Sequence, residues 1–296
     1  MANNMDRVVI VTGAGKGLGC AFALRIAEDG AAVVVNNRIR DGQPDSASAV
    51  VEEAKAAGAR ATANRLDVRD PQASKALVDQ ALAEFGRLDA VVFNAGVNGD
   101  AVRFADMRPD AFDEVMATNF FAPMRLAHAA WPHLAKSDAG RMLFVSSTAG
   151  LYGVRGRSPY ASSKGALCAF AATLAHEGRR DGIGVNILMP YAATQMTGGD
   201  DALDGMLPAD SVAPLASWLV SPECETAGDT WIAGAGYACK AQVLETEGDF
   251  LEEDIGAVLA RRGVSLGDFA PPLGSLGAEK AFEAFMARAA GRRNAG

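Results

Sequence analysis

The sequence predicts an α/β fold, a doubly wound parallel sheet of about seven strands with a helical C-terminal extension. Short apolar runs alternate with segments whose apolar residues recur at helical spacing over most of the chain. Regular alternation of this kind is typical of a parallel sheet covered by helices on both faces. The 296 residues are 49% hydrophobic, which is enough to bury the core of one large domain.

Each predicted strand is a short apolar run bounded by glycine, proline or polar residues. The predicted strands are residues 7–12, 31–36, 61–66, 88–93, 141–145, 184–189 and 230–233.

The predicted helices are longer segments with apolar residues on one side. Gly30 and Gly58 each follow a helix, as expected at a helix C-terminus, and Pro71 suits the first turn of another. The predicted helices are residues 20–29, 46–57, 71–85, 111–135 and 159–178.

Composition divides the chain into two parts. Residues 1–245 are expected to form the sheet domain, and residues 246–296 an extension with helices at 250–262 and 278–289. Residues 191–207 follow the sixth strand and are rich in Gly, Asp and Thr. Because ligands bind beside strand ends in such sheets, this segment is expected to be a substrate lid.

Charge and cysteine usage exclude several function classes. The net charge is −8 and no basic stripe appears, so no nucleic-acid partner is expected. The four cysteines and three histidines show no metal-ligand spacing, so no metal is expected. No apolar run approaches the ~20 residues of a membrane span, and the first residues lack the apolar core of a signal peptide. We therefore expect a cytoplasmic protein.

The glycines at 12–19 predict a nucleotide site of the Rossmann type. Gly13, Gly17 and Gly19 follow the first strand and open the first helix. Glycine permits the tight turn and close approach of a pyrophosphate, which the helix N-terminus favours. The alternative is an ordinary glycine turn. The candidate residues here are Gly13, Gly15, Lys16, Gly17, Leu18 and Gly19.

The end of the second strand bears on the choice of cofactor. An acidic residue there usually holds the ribose hydroxyls of NAD, but this chain has Asn37 and Arg38. A neutral Asn37 does not repel a 2′-phosphate, and Arg38 can pair with one. The sequence therefore favours NADP over NAD, unless Arg38 simply points into solvent.

Two further strand ends supply candidate cofactor residues. Asp67 and Val68 follow the third strand, where the Asp67 carboxylate can accept from an adenine amino group or cap the helix near residue 71. Asn94, Ala95 and Gly96 end the fourth strand, and their small size lets a ribose lie against the backbone. An ordinary tight turn is the alternative for this second segment.

Tyr160 and Lys164, four residues apart on one helix face, predict proton chemistry. A nearby lysine cation is expected to lower the pKa of the phenol and make it an effective acid–base group. Ser147, after the fifth strand, can polarise a substrate oxygen. Asn119 is an awkward polar residue inside a long helix, and either binds a water that relays protons from Lys164 or makes a local contact.

These residues resemble the classical short-chain dehydrogenases/reductases over about residues 5–240. The motifs are TGAGKGLG (12–19), Asp67, FNAG (93–96), Asn119, SST (146–148) and YASSK (160–164).

The resemblance implies a seven-stranded Rossmann-type sheet, an NAD(P) cofactor and a catalytic set of Asn119, Ser147, Tyr160 and Lys164. It also implies that Tyr160 and Lys164 contact the cofactor, and that Pro190 and Thr194 lie at its carboxamide. Homodimers or homotetramers are common in the family.

Several downstream segments are more specifically similar to the (3R)-hydroxyacyl-CoA dehydrogenase part of multifunctional enzymes type 2 and bacterial relatives. They are residues 149–153, 176–186, 189–197 and 206–240. The chain departs from the family at Tyr191, where glycine is usual after the proline, and at Asn37, where an acid is usual.

The expected reaction interconverts a secondary alcohol and a ketone by hydride transfer. A 3-hydroxyacyl-CoA-like substrate and a bulky hydrophobic or polycyclic alcohol are alternatives, and a cofactor-binding regulatory protein is a non-enzyme alternative. Candidate substrate residues, by their position beside the catalytic segment or the lid, are Ser147, Thr148, Tyr152 and Tyr191.

Overall fold

A computed structural model describes residues 4–192 and 206–242, together with Glu283, Met286 and Ala287. Most of the predicted lid, including Thr194, and nearly all of the extension at 246–296 lie outside these described residues. The lid and the division into two parts therefore stay predictions.

One eight-stranded sheet forms the centre of the described chain, in the order β3-β2-β1-β4-β5-β6-β7-β8. The strands are β1 Val8–Thr12, β2 Ala32–Asn36, β3 Ala61–Asn64, β4 Ala90–Phe93, β5 Gly140–Val145, β6 Ile183–Pro190, β7 Thr230–Gly234 and β8 Tyr237–Ala241. Strands β1–β7 are parallel, which confirms the predicted fold class.

Strand β8 was not predicted, and it runs antiparallel to β7. It lacks an apolar run because its residues alternate between half-buried and exposed positions. A two-residue turn joins the strands, with φ of 52° at Ala235 and 72° at Gly236. Two positive φ values are typical of the hairpin turn that matches strand twist.

The helices agree with the prediction except near the site. They are α1 Gly17–Glu28, α2 Ser46–Ala56, α3 Ala73–Phe85, α4 Pro109–Met116, α5 Ala122–Leu134, α6 Ala149–Tyr152, α7 Ser158–Gly178 and α8 Ala213–Leu219. The single helix predicted at 111–135 is instead α4, a π-helical turn at Ala117–Phe121, and α5. The short helices α6 and α8 were not predicted.

Alternating strand residues feed two hydrophobic clusters, one on each face of the sheet. Val9 and Val11 of β1 join the cluster under α1, α2 and α8. Val8 and Ile10 join the cluster under α3, α5 and α7. Because both faces are covered, the parallel strands are mostly apolar.

An ionic cluster lies at the amino ends of the strands. The Arg7 guanidinium donates to the carbonyls of Ala139 at 2.8 Å and Val220 at 2.9 Å. Asp89 is fully buried, and its Oδ1 accepts from Arg87 Nη2 at 2.7 Å. These contacts join the amino ends of β1, β4 and β5 to the end of α8. The predicted site lies at the opposite, carboxyl ends of the strands.

None of the helices in the described residues is long and apolar enough to cross a membrane.

Candidate active site

The glycine loop between β1 and α1 is shaped for a close ligand. Gly13 has φ +64°, and a Cβ there would lie 2.8 Å from Ala95 Cα. A Cβ on Gly19 would collide with the carbonyl of Gly13. No side chain caps α1, and no acidic residue occupies its first turn. This helix start therefore presents N–H groups and a positive dipole end to an anion, which suits a pyrophosphate.

A cleft of about 560 Å³ lies where this loop meets the carboxyl ends of β1–β4. Its lining contains most of the predicted cofactor residues: Gly13, Lys16, Gly17, Leu18, Gly19, Asn37, Arg38, Asp67, Val68, Asn94, Ala95 and Gly96. Gly15 does not line the cleft; a Cβ there would collide with Ser46 and Asn37.

Sequence reasoning missed several other residues of the same lining. They are Asn36, Gln43, Pro44, Ser46, Leu66, Arg69, Val97 and Thr118. Most of them lie within a few residues of a predicted strand end, so nearness to those ends is the signal that would have included them.

Asp67 is held between two arginines at this cleft. Its Oδ2 accepts from Arg38 Nη1 at 2.8 Å and from Arg69 Nη2 at 2.7 Å. Burial opposes ionisation, but the hydrogen bonds from Arg69 and Arg38 outweigh it and hold the pKa of Asp67 well below its usual value. Asp67 does not cap α3, because Asp70 accepts the Gln72 N–H at 2.9 Å beside that helix start.

Asn94 fixes the end of β4 to the glycine loop. Its Nδ2 donates to the carbonyls of Thr12 at 3.0 Å and Gly13 at 3.1 Å. The Thr12 hydroxyl in turn accepts from the backbone N–H groups of Asn94 and Ala95. These four bonds fix the floor of the cleft without any ligand.

Asn119 lies in the π-helical turn, buried, and links two segments of the site. Its Oδ1 accepts from Val97 N at 2.8 Å, and its Nδ2 donates to Val97 O at 2.9 Å and Ser163 Oγ at 3.0 Å. The Ser163 hydroxyl donates to the carbonyl of Tyr160 at 2.8 Å. These partners are 22 and 44 residues away along the chain, so the contacts are long-range and not the local contact of the alternative reading. The water relay to Lys164 stays a prediction.

Lys164 is buried one turn after Tyr160. Its Nζ donates to the carbonyl of Val145 at 2.8 Å and lies 5.9 Å from the centre of the Tyr160 ring. Burial lowers the pKa of Lys164 to about 8. Gly96 is close to both this ammonium and Asn119, so the end of β4 meets two of the predicted catalytic residues.

The pKa of Tyr160 is raised, contrary to the sequence expectation. Burial is the largest cause, while a hydrogen bond from Ser147 and the charge of Arg157 act in the opposite direction. The expected lowering by Lys164 is not found, because that ammonium is directed to the carbonyl of Val145. The site nevertheless joins a phenol, a hydroxyl donor and a cation, which together can exchange a proton with an alcohol oxygen.

The remaining candidates lie at the ends of β5, α6 and β6. Ser147 and Thr148 follow β5, and Tyr152 ends α6. Pro190 ends β6, and the Tyr191 N–H donates to the carbonyl of Ala233 at 2.7 Å. The described residues contain no cluster of His, Cys, Asp or Glu able to hold a metal ion.

Comparison with known proteins gives consistent matches. A family model described as short chain dehydrogenase matches residues 7–202. Peroxisomal multifunctional enzyme A of Dictyostelium discoideum is 37% identical over 259 residues, which are 85% of this chain and 58% of that protein. Peroxisomal multifunctional enzyme type 2 of Mus musculus is 37% identical over 264 residues, 86% of this chain and 34% of that protein.

The chain thus spans between a third and three fifths of these two relatives. A solved structure, a short chain dehydrogenase from Mycobacterium avium, aligns with a TM-score of 0.78 and 32% identity. The alignment covers 87% of this chain and 94% of that one.

Proposed function

The chain belongs to the short-chain dehydrogenase family, and on this premise we propose that it interconverts a 3-hydroxyacyl thioester and its 3-keto form with NADP. Membership makes it an oxidoreductase acting on CH–OH groups, which sets aside the regulatory alternative. The observation that carries the proposal is that Gly96, in the lining of the cleft, lies next to the ammonium of Lys164, which is one helical turn from Tyr160.

In oxidation, the Ser147 hydroxyl orients the substrate oxygen by a hydrogen bond, and Tyr160 takes the proton of the alcohol. A bound nicotinamide supplies the acceptor for the hydride. Lys164, whose Nζ lies 5.9 Å from the centre of the Tyr160 ring, is the residue that the resemblance places at the cofactor beside this phenol. In reduction, Tyr160 returns a proton to the forming alkoxide, so its hydroxyl must be protonated at the start of the step.

The charge of the cleft supports NADP over NAD. Lys16, Arg38, Arg40 and Arg69 line it, against the single carboxylate of Asp67 among its described lining residues. Two of these arginines already neutralise that carboxylate. A 2′-phosphate therefore meets net positive charge and no unpaired acid.

Arg38→Gln tests this preference. We expect the KM for NADPH to rise about tenfold, the loss of one charged contact, with the KM for NADH nearly unchanged. Arg60→Gln is the matched control, because Arg60 is exposed and lies outside the cleft lining. Equal KM changes for both cofactors would contradict the preference.

The thioester substrate is supported by the resemblance of residues 149–153 and 206–240 to the hydroxyacyl-CoA dehydrogenase part of multifunctional enzymes. Two relatives that carry the multifunctional name match at 37% identity. The residues proposed to contact this substrate are Ser147, Thr148, Tyr152 and Tyr191.

The deciding experiment measures NADPH and NADH consumption with a short 3-ketoacyl-CoA, with Tyr160→Phe as the blank. We expect turnover that falls by about 10²-fold or more in the blank, while NADPH binding is kept. A protein that binds the dinucleotide and reduces bulky ketones but not the thioester would replace the substrate class with the hydrophobic alternative.

We also propose a cytoplasmic homodimer or homotetramer. Its support is the four free thiols and the partly exposed Phe121 in the π-helical turn, which packs on Phe120, itself in contact with Phe170 of α7. Light scattering of the purified chain tests the assembly, and a monomer at micromolar concentration would contradict it.

A further inference from the structure

Two loops are joined at the start of the catalytic helix α7. The first is residues 97–103, after β4, and the second is residues 153–157, immediately before α7. The Val102 N–H donates to the carbonyl of Gly156 at 2.8 Å, and Arg157 Nη1 donates to the carbonyl of Gly99 at 3.1 Å. The hydrogen bond to Gly99 therefore fixes the orientation of the Arg157 side chain.

The same arginine is adjacent to the catalytic residues along the chain. Arg157 directly precedes α7, and Tyr160 is the third residue of that helix. The carbonyl of Arg157 accepts from Ala161 N at 2.9 Å, which fixes its backbone to the first helical turn. Its positive charge offsets part of the rise in the pKa of Tyr160 that burial causes.

Few other groups act on this phenol. Ser147 donates a hydrogen bond from the segment after β5, and the Lys164 ammonium lies 5.9 Å from the ring centre. Asp100 and Arg103, the charged residues of loop 97–103, are exposed to solvent.

We propose that Arg157 is a positioning residue for Tyr160, which holds a permanent positive charge near the phenol through its bond to Gly99 and ties the loop of residues 97–103 to the catalytic helix. A guanidinium stays charged at every working pH. Burial lowers the pKa of Lys164 to about 8, so this side chain loses its charge as the pH rises through that value. Arg157 therefore keeps the phenolate accessible at pH values at which Lys164 is partly neutral.

The role rests on the proposed function, but the test does not require turnover. The chain has four tyrosines, so tyrosine labelled with ¹³C at Cζ gives few signals, and Tyr160→Phe assigns the relevant one. The chemical shift of the Tyr160 ¹³Cζ signal is followed against pH in the wild type and in the variants Arg157→Gln, Arg157→Lys and Arg155→Gln. Arg155 is an exposed loop arginine two residues earlier and serves as the matched charge control.

We expect the Tyr160 titration to move to higher pH in Arg157→Gln, and to stay near the wild-type position in Arg157→Lys and Arg155→Gln. In alcohol oxidation, where Tyr160 acts as the base, the ascending limb of the kcat profile moves to higher pH in the same way, and kcat at pH values below that limb falls about three- to tenfold. Melting temperature and dinucleotide binding establish that each variant is folded.

An unchanged titration in Arg157→Gln would overturn the proposal, and so would an equal change in Arg155→Gln or in Arg157→Lys. If the wild type reduces no carbonyl at all, the proposed function fails, while the NMR titration still decides the electrostatic role of Arg157.

Discussion

Lys164 combines a proposed catalytic role with an unfavourable environment. The side chain is 5% exposed, and its one polar contact in the described structure is with the carbonyl of Val145. Because burial lowers the pKa from 10.5 to about 8, the folded protein binds this proton less tightly than the unfolded chain does. The charged form that the chemistry uses therefore destabilises the fold.

We expect Lys164→Met to unfold at higher urea than the wild type at pH 7. Lowering the pKa from 10.5 to about 8 corresponds to about 3 kcal/mol, of which loss of the Val145 bond removes ~1 kcal/mol. The wild type regains stability as pH rises from about 8 to 10.5, because only the unfolded state is then protonated.

The difference in unfolding free energy between Lys164→Met and the wild type should therefore decrease between pH 7 and pH 10. Lys136→Met, at an exposed position, is the control and should match the wild type at both values. A variant that is less stable at pH 7, or whose advantage is the same at both pH values, would contradict this account.

A comparison of substitutions at Gly13 and Gly58 distinguishes the cost of a positive φ from the cost of a steric clash. Both have positive φ, +64° and +86°, but only at Gly13 would a Cβ meet other atoms within 4 Å. We expect Gly13→Ala and Gly58→Ala each to lose about 1 kcal/mol of stability from the φ value. Only Gly13→Ala should weaken NADPH binding, by about tenfold or more, as measured by fluorescence titration. Equal binding by the two variants would show that the glycine loop tolerates a side chain.

The site residues that the sequence predicted are those whose residue type is constrained by local geometry. Gly13 and Gly19 have no room for a Cβ, and Tyr160 with Lys164 share a helix face by spacing alone. The sequence did not identify Arg69 as a partner of Asp67, or Arg157 as a charge that acts on Tyr160. An arginine's function depends on which partner its long side chain reaches. The direction of the Tyr160 pKa escaped prediction for the same reason, since it depends on where the Lys164 ammonium is directed.

The π-helical turn at Ala117–Phe121 joins the segment after β4 to helix α7 in the candidate active site. It places Asn119 so that both its amide atoms bond the backbone of Val97, and its Nδ2 also reaches Ser163. A regular helix through residues 111–135 has no such widened turn. Insertions of this kind are frequent at functional sites.

We expect Asn119→Ala to lower stability by about 2–4 kcal/mol, because the N–H and carbonyl of Val97 both lose their side-chain partner. Hydrogen exchange should show faster exchange of the Val97 amide, and kcat should fall. Ser163→Ala is the comparison, since it keeps both Val97 bonds and should lose only about 1 kcal/mol. A Val97 amide that exchanges at the wild-type rate in Asn119→Ala would refute the linking role.

The elements that the sequence missed have weak local signals. The helix α6 is four residues long, and β8 alternates half-buried and exposed residues without an apolar run. The long helix was predicted as continuous because residues 117–121 remain apolar enough to extend its pattern. Tertiary contacts at Val97 and Ser163, rather than composition, determine where that helix widens.

At the scale of the whole molecule, the ionic cluster and the candidate active site lie at opposite ends of the strands. Asp89 Oδ2 accepts from Val8 N at 2.9 Å, while Arg7 and Arg87 supply the neighbouring positive charges. Burial opposes its ionisation, but hydrogen bonds from Arg87, Ser137 and Val8 lower the pKa of Asp89 below its usual value. The carboxylate therefore stabilises the fold wherever it is ionised.

We expect Asp89→Asn to lose about 3 kcal/mol at pH 6 with kcat unchanged. The difference from the wild type is fully present above the unfolded pKa of ~3.9 and shrinks as pH falls through the lower folded value. Urea unfolding between pH 3 and pH 7 measures it, with the exposed Asp106→Asn as the control. A difference that grows on acidification, or a large loss of kcat, would contradict this division of roles.

Strand order has a consequence for folding. The glycine loop follows β1 and the Asn94 segment follows β4, and these strands are neighbours in the sheet although about 80 residues separate them. A partly folded chain that has assembled only β1–β3 lacks one wall of the cleft. The dinucleotide therefore binds only after this long-range pairing, and at 100 times its Kd it adds about 2.7 kcal/mol to global unfolding alone. Supply of the cofactor thus selects fully assembled molecules over folding intermediates.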